Sequence, residues 1–205
     1  AQKDGWTLFV PNNDSLNKYI NNVVLQQYPS VNSLPLSIIA DLINSHMWQS
    51  TVWPSKFSST YNFLGEPVKM NSTTDIIDKK ILSNGIFYGT KKVNEPNVFA
   101  TVYGKAYLDP RYTLMTRLLD QEVKPIITNP SVKYTMFMVS DAVLAAKGYS
   151  FNSGSNLWTF TNPVGGAITT NDSVRLNLLR MVYSGIVETP NNEMANLGTT
   201  GVKGI

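Results

Sequence analysis

From Trp6 to Val10 the chain is apolar and rich in β-formers, which predicts a short buried strand. Asn12, Asn13 and Asp14 follow as N-cap residues, whose side-chain oxygens can take up the free amides of a first helical turn. Leu16, Tyr19, Ile20, Val23 and Val24 then recur at helical spacing, with Gln27 next in the series, and Pro29 closes the segment. A second helix is predicted after Pro35, with Ile39, Leu42, Ile43 and His46 on one face. From Val52 to Lys69 the pattern breaks into short strands and turns around Pro54, Gly65 and Pro67. Asp75 to Leu82 then leads into Ser83-Asn84-Gly85, a turn of residues tolerant of positive φ, and a strand from Ile86 to Val93.

Glu95-Pro96-Asn97 interrupts this pattern and marks a boundary. Beyond it, Val98 to Tyr103 opens a second region, and Asp109-Pro110 starts a helix carrying Leu114, Met115, Leu118 and Leu119 on one face. Lys133 to Val139 reads as a strand, and Asp141 to Lys147 as a short helix stopped by Gly148. Phe151 to Thr170 looks like a hairpin-bearing insertion absent from the first region. Asp172 or Ser173 is the expected cap of a further helix bearing Val174, Leu178, Met181 and Val182. Asn191 to Ile205 has no clear periodicity.

One phrase is written nearly twice. Thr7-Leu8-Phe9-Val10-Pro11-Asn12-Asn13-Asp14-Ser15-Leu16 returns 128 residues later as Thr135-Met136-Phe137-Met138-Val139-Ser140-Asp141-Ala142-Val143-Leu144. That interval is a domain length, not a solenoid period, so the 205 residues divide into 1–97 and 98–205. With 42% hydrophobic and 15% charged residues, each half can build a core. The net charge of +3 contains no cationic run longer than pairs such as Lys79-Lys80 and Lys91-Lys92, which argues against a nucleic-acid partner. The absence of cysteine excludes disulfides, thiolate metal sites and cysteine nucleophiles. No apolar stretch approaches the roughly 20 residues of a membrane-spanning helix, so any membrane attachment is expected through an anchor outside this chain.

The repeated phrase resembles the first signature of fasciclin (FAS1) domains, in which a threonine, a hydrophobic strand with phenylalanine and a proline precede polar capping residues. Leu42-Ile43-Asn44-Ser45-His46 is similar to that family's leucine-rich helix ending in a histidine. Ser83-Asn84-Gly85-Ile86-Phe87-Tyr88, with Val93 and Pro96 after it, resembles the second signature. The second region matches less fully: Val139 stands in place of proline, and Tyr183 or Val182 falls where the histidine would be. The resemblance implies an α+β fold: tandem FAS1-like β-sandwich or wedge modules flanked by helices. The first would lack its N-terminal helices and the second its C-terminal strands. Since the chain opens at Ala1, its numbering is expected to start inside a longer precursor.

The chemistry is sparse. His46, the single histidine, falls on the apolar helix face and reads as a hydrogen-bonded core residue. Asp75 and Asp78 are followed by Lys79 and Lys80 and read as a solvated, charge-balanced turn. There is no nucleophile elbow and no phosphate-loop spacing, so neither catalysis, a cofactor nor a metal is expected. Aromatics carry the remaining signal: Trp48, Trp53, Phe57, Tyr61 and Phe63 cluster in the first region, and Trp158 and Phe160 alternate in the second. Exposed, Trp48, Trp53 and Trp158 could stack on sugars or anchor a protein; buried, they fill cores. Animal FAS1 domains carry an Asp-Ile pair linked to integrin adhesion where Lys79 and Lys80 stand here, which weakens an integrin reading. The family implies a non-enzymatic adhesion or protein-interaction module at a cell envelope or extracellular surface, with an unknown protein or cell-surface glycan as partner. Glycan binding through the aromatics is the alternative, and an Asn-rich, cysteine-free composition suits a bacterial lipoprotein.

Overall fold

The strand expected at the start of the chain is β1 (Trp6–Pro11), where Thr7 and Phe9 turn inward while Trp6, Leu8 and Val10 face outward. In this computed structural model, residues 5–190 and 203–204 are described. They make an α+β protein that divides into two units, Ala1–Phe99 and Ala100–Ile205.

In the first unit, Asn12 caps α1 (Asn13–Tyr19) by accepting the Ser15 N–H at 2.9 Å. The expected apolar stripe is half-buried, but the helix widens into a π-helical turn over Ile20–Val24, closed by Leu25 N–H to the Ile20 carbonyl at 2.9 Å. Helix α2 (Leu36–Asn44) leads into β2 (Met47–Trp48), and β3 (Ile76–Leu82) turns through Ser83-Asn84 into β4 (Gly85–Thr90). The sheet order is β2-β1-β4-β3, with β1 and β4 parallel and the outer pairs antiparallel. On α2 the deepest residue is Ile38, whereas Ile43 is exposed. The buried side runs through Ile38 and Ser45, rotated from the face the periodicity indicates.

Phe9 is the centre of this core. Its ring meets Trp48 edge-on at 4.8 Å and Phe57 at 5.3 Å, and stacks on Tyr88 at 4.8 Å. Val52, Val68, Met70 and Ile86 complete the cluster. The described residues of this unit form one sheet and not a packed pair: residues 52–70, expected as short strands, supply a 3₁₀ turn (Pro54–Lys56), a single bridge from Tyr61 to Pro67, and the side chains that cover the inner face.

The second unit packs α4 (Val102–Tyr107), α5 (Thr113–Glu122) and α6 (Lys124–Ile127) ahead of β5 (Tyr134–Met136); the division between units falls within α3 (Asn97–Ala100). Asp109 caps a 3₁₀ turn (Pro110–Tyr112) before α5, whose buried residues are Met115, Leu118 and Leu119. Helix α7 (Asp141–Ala146) ends at Gly148, whose φ of +87° closes the helix as expected. The expected hairpin insertion is the sheet β6 (Tyr149–Asn152), β7 (Leu157–Thr161) and β8 (Ile168–Thr169). Helix α8 (Asp172–Ser184) has Asn171 at its N-cap position, one residue before the expected cap and without a side-chain capping hydrogen bond, and buries Val174, Leu178, Leu179 and Val182, leaving Met181 half-buried. β9 (Ile186–Glu188) joins β5 to β10 (Lys203–Gly204); the rest of Asn191 to Ile205 lies outside the described residues.

The local pattern around β1 recurs around β5. Thr7 pairs with Trp48 and Leu8 with Met47, as Thr135 pairs with Val187 and Met136 with Ile186. Phe9 N–H donates to the His46 carbonyl at 3.0 Å, and Phe137 N–H to the Gly185 carbonyl at 2.8 Å. Ser45 Oγ donates to the Leu42 carbonyl, and Ser184 Oγ to the Met181 carbonyl. Gly185 therefore occupies the place of His46, correcting the expectation of Tyr183 or Val182; strand register, not the leucine spacing, decides the match. The flanks differ: β1 lies between two strands, whereas β5 is an edge among the described residues, and Phe137 is 49% exposed against 1% for Phe9.

Candidate functional site

The β3–β4 hairpin brings Gly85 against β1, and Trp6 N–H donates to the Asn84 carbonyl at 2.8 Å. This close approach sets one wall of an open groove of about 500 Å³ lined by Trp6, Thr51, Trp53, Ile81, Leu82 and Asn84. A second depression of about 260 Å³ adjoins it along the outward sheet face, lined by Trp6, Leu8, Met47, Leu82 and Phe87. Trp6 is braced by stacking on Phe63 at 5.8 Å. Trp53 precedes the Pro54–Lys56 turn and is 44% exposed, with the Lys79 ammonium 4.5 Å from its ring centroid. Around it, Ile81 and Leu82 present apolar side chains to solvent.

Of the three tryptophans expected as contacts, Trp53 alone is open. Trp48 is fully buried against Phe9, with Nε1 donating to the Thr60 carbonyl at 3.3 Å. Trp158 is buried and packs edge-on against Phe151 at 5.0 Å. Both alternate inward on strands, which the pattern of aromatic residues does not disclose. Neither ring can meet a partner, so both are corrected to core residues. Ile81 and Leu82, absent from the expected contacts, carry a signal in the sequence: they directly follow the charged run Asp78-Lys79-Lys80 and precede the turn.

His46 lies in a buried polar network. Nδ1 donates to the Leu42 carbonyl at 2.8 Å, with Ser45 Oγ 2.9 Å away, and Nε2 accepts the Asn94 N–H at 2.9 Å. Asn62 Nδ2 and Asn94 Nδ2 both donate to the Ser45 carbonyl, at 3.0 Å and 2.8 Å. Burial pushes the His46 pKa below the ordinary histidine value, against the opposing hydrogen bond to Leu42, so the ring is held neutral. With both nitrogens committed, it has no valence left for a ligand. Beside it, Glu66 pairs with Lys69 at 2.5 Å and accepts the Asn97 N–H at 2.8 Å. Asp75 and Asp78 do not converge: Asp75 accepts the Asn71 N–H at 2.8 Å, while Asp78 lies 3.3 Å from Lys80.

No family model and no curated protein matches the chain. Among solved structures it is similar to a FAS1 domain pair from the insect cell adhesion molecule fasciclin I, at 12% identity over 96% of this chain and 71% of that one, with a TM-score of 0.34. No helix of the described residues is long and apolar enough to cross a membrane.

Proposed function

We propose that the chain is a fasciclin-type interaction module of two tandem units, 1–97 and 98–205, which acts without catalysis at a cell surface or in extracellular space. The residues resembling the two family signatures lie side by side in the first unit: Leu8 pairs with Phe87 where β1 and β4 run parallel. Support comes from this chain's own motifs, not from the distant likeness to the insect pair. The observation that carries an interaction role is the apolar rim of the groove, where Trp53 is 44%, Leu82 54% and Ile81 69% exposed. Contiguous apolar surface of this kind, rimmed by polar groups such as Thr51 and Asn84, marks a contact site.

A protein surface suits the rim better than a sugar, because Lys79 already covers one face of the Trp53 ring on which a pyranose would stack. Cell adhesion to a surface coated with the chain tests the reading. Trp53→Ala combined with Leu82→Ser should lower adhesion about tenfold or more, with the melting temperature kept. Unchanged adhesion would overturn the role of the groove. Loss of adhesion on adding a soluble sugar would move the partner to the glycan class.

A further inference from the structure

Strand β3 (Ile76–Leu82) ends the four-stranded sheet and, among the described residues, pairs on one side only, with β4. From Ile77 onward every residue of it is exposed, including Ile77 at 56%, Ile81 at 69% and Leu82 at 54%. An exposed edge strand of this kind, with apolar residues on either side of Asp78-Lys79-Lys80, templates pairing with another strand unless its charges block it. The two lysines that could block it are both drawn off the edge. Lys79 folds over the sheet face onto the Trp53 ring, 4.5 Å from its centroid, and Lys80 lies 3.3 Å from Asp78 on its own strand.

The sequence of this edge is complementary to itself. Laid antiparallel to a copy and centred on Lys79, Ile76-Ile77-Asp78-Lys79-Lys80-Ile81-Leu82 sets Asp78 opposite Lys80, Ile77 opposite Ile81 and Ile76 opposite Leu82. Lys79 then faces its own counterpart, and its engagement with Trp53 draws each ammonium away from the axis. Moving the centre one residue to Lys80 sets Asp78 against Leu82 and Lys79 against Ile81; moving it to Asp78 sets carboxylate against carboxylate. A parallel copy in register sets every charge beside its like. One register alone matches charge with charge and apolar with apolar. The bulge between Ile76 and Asp78 leaves Ile77 outside the regular register, which runs from Asp78 to Leu82, so the ladder centred on Lys79 is carried by Asp78, Lys79 and Lys80.

We infer that β3 is a homotypic docking edge, through which two copies of this chain join their first-unit sheets across a two-fold axis. Such an isologous contact contains each Asp78–Lys80 pair twice, so a single charge reversal disrupts both at once. The inference goes beyond the interaction reading above: dimers that bind no cell surface, or monomers that do, would separate the two.

The test is a concentration series of the whole chain by sedimentation equilibrium. The mass should rise with concentration from 22.8 kDa toward twice that value. Asp78→Lys and Lys80→Asp should each weaken self-association about tenfold or more, since attraction becomes repulsion at two positions. Mixing the two variants should restore pairing as heterodimers, and so should both exchanges in one chain. That rescue cannot come from a folding defect, because all the changes are on exposed side chains. A wild-type mass fixed at 22.8 kDa at every concentration would overturn the inference. So would single variants that associate as tightly as the wild type, or a mixture that stays monomeric.

Discussion

His46 and Asn94, 48 residues apart in the chain, are joined by a hydrogen bond in which the imidazole Nε2 accepts the backbone N–H at 2.9 Å. A protonated ring cannot accept, so this contact ties the stability of the first unit to pH. Burial lowers the folded-state pKa of His46 below its unfolded value of about 6.5. The unfolded chain therefore binds a proton that the folded chain refuses. Stability is complete above the unfolded pKa and falls as pH drops below about 6.5, by up to about 1.4 kcal/mol per pH unit, until the folded pKa is reached. As the chain has one histidine, chemical denaturation between pH 7.5 and pH 5 isolates the effect. His46→Gln should be less stable at neutral pH and flat across that window; an equally steep slope in the variant would refute the assignment.

Glu66 is the anchor of the segment that closes the first unit. Its carboxylate accepts the Asn97 N–H and pairs with Lys69, whose ammonium also donates to the Glu95 carbonyl and Asn97 Oδ1 at 2.6 Å each. Lys69→Met removes the paired cation from a carboxylate that is only 7% exposed. The cost should be about 2–3 kcal/mol, below that of a fully enclosed pair because the Lys69 side chain keeps 29% exposure. Lys69→Arg should recover part of it, measured by urea denaturation.

How far the sequence discloses this molecule depends on whether a feature is set locally or by packing. β1 and its Asn12 cap are local: a β-rich run followed by residues whose oxygens reach the N–H three positions on. The hairpin turn at Ser83-Asn84 is equally local. The face of α2 is not. Ile38 and Ile43 are equivalent by composition, and only tertiary packing buries one and exposes the other. The tryptophans make the same point about the site. Trp48 follows an inward register beside Phe9, while Trp53 precedes a proline turn at the rim, and no spacing within the aromatic run separates the two roles. Gly185 was hidden because the apolar run of α8 fits several registers, whereas the Phe137 hydrogen bond allows one.

Trp48 and Trp158 are both buried, yet their indole nitrogens differ. Trp48 Nε1 donates to the Thr60 carbonyl, whereas Trp158 Nε1 has no protein partner. Replacing either by phenylalanine removes a similar ring volume. Only Trp48→Phe also deletes a satisfied hydrogen bond, worth about 1 kcal/mol, while Trp158→Phe removes an unsatisfied donor and recovers some of its desolvation cost. Trp48→Phe should therefore be the more destabilising by about 1–2 kcal/mol in thermal unfolding. Equal losses would mean that packing alone governs both positions.

Gly85 decides how closely the hairpin can approach β1. A Cβ at this position would stand 1.8 Å from the Trp6 carbonyl oxygen and 2.7 Å from its carbon, distances that no rotamer can relieve because both atoms are backbone. Gly85→Ala must push β4 away from β1 at the end where Trp6 pairs with Gly85. The cost should exceed about 3 kcal/mol, the range of severe backbone and overpacking changes. Gly89→Ala is the control. Its nearest contact is the Asp78 Cβ at 3.1 Å, a side-chain atom on an exposed strand that can yield by a few tenths of an ångström. Displacement at Gly85 should also open the groove and expose Trp6 further, read as a red shift of tryptophan emission that Gly89→Ala does not produce. A Gly85→Ala chain that melts and fluoresces like the wild type would show that β4 can retreat without loss, and that the groove does not depend on this contact.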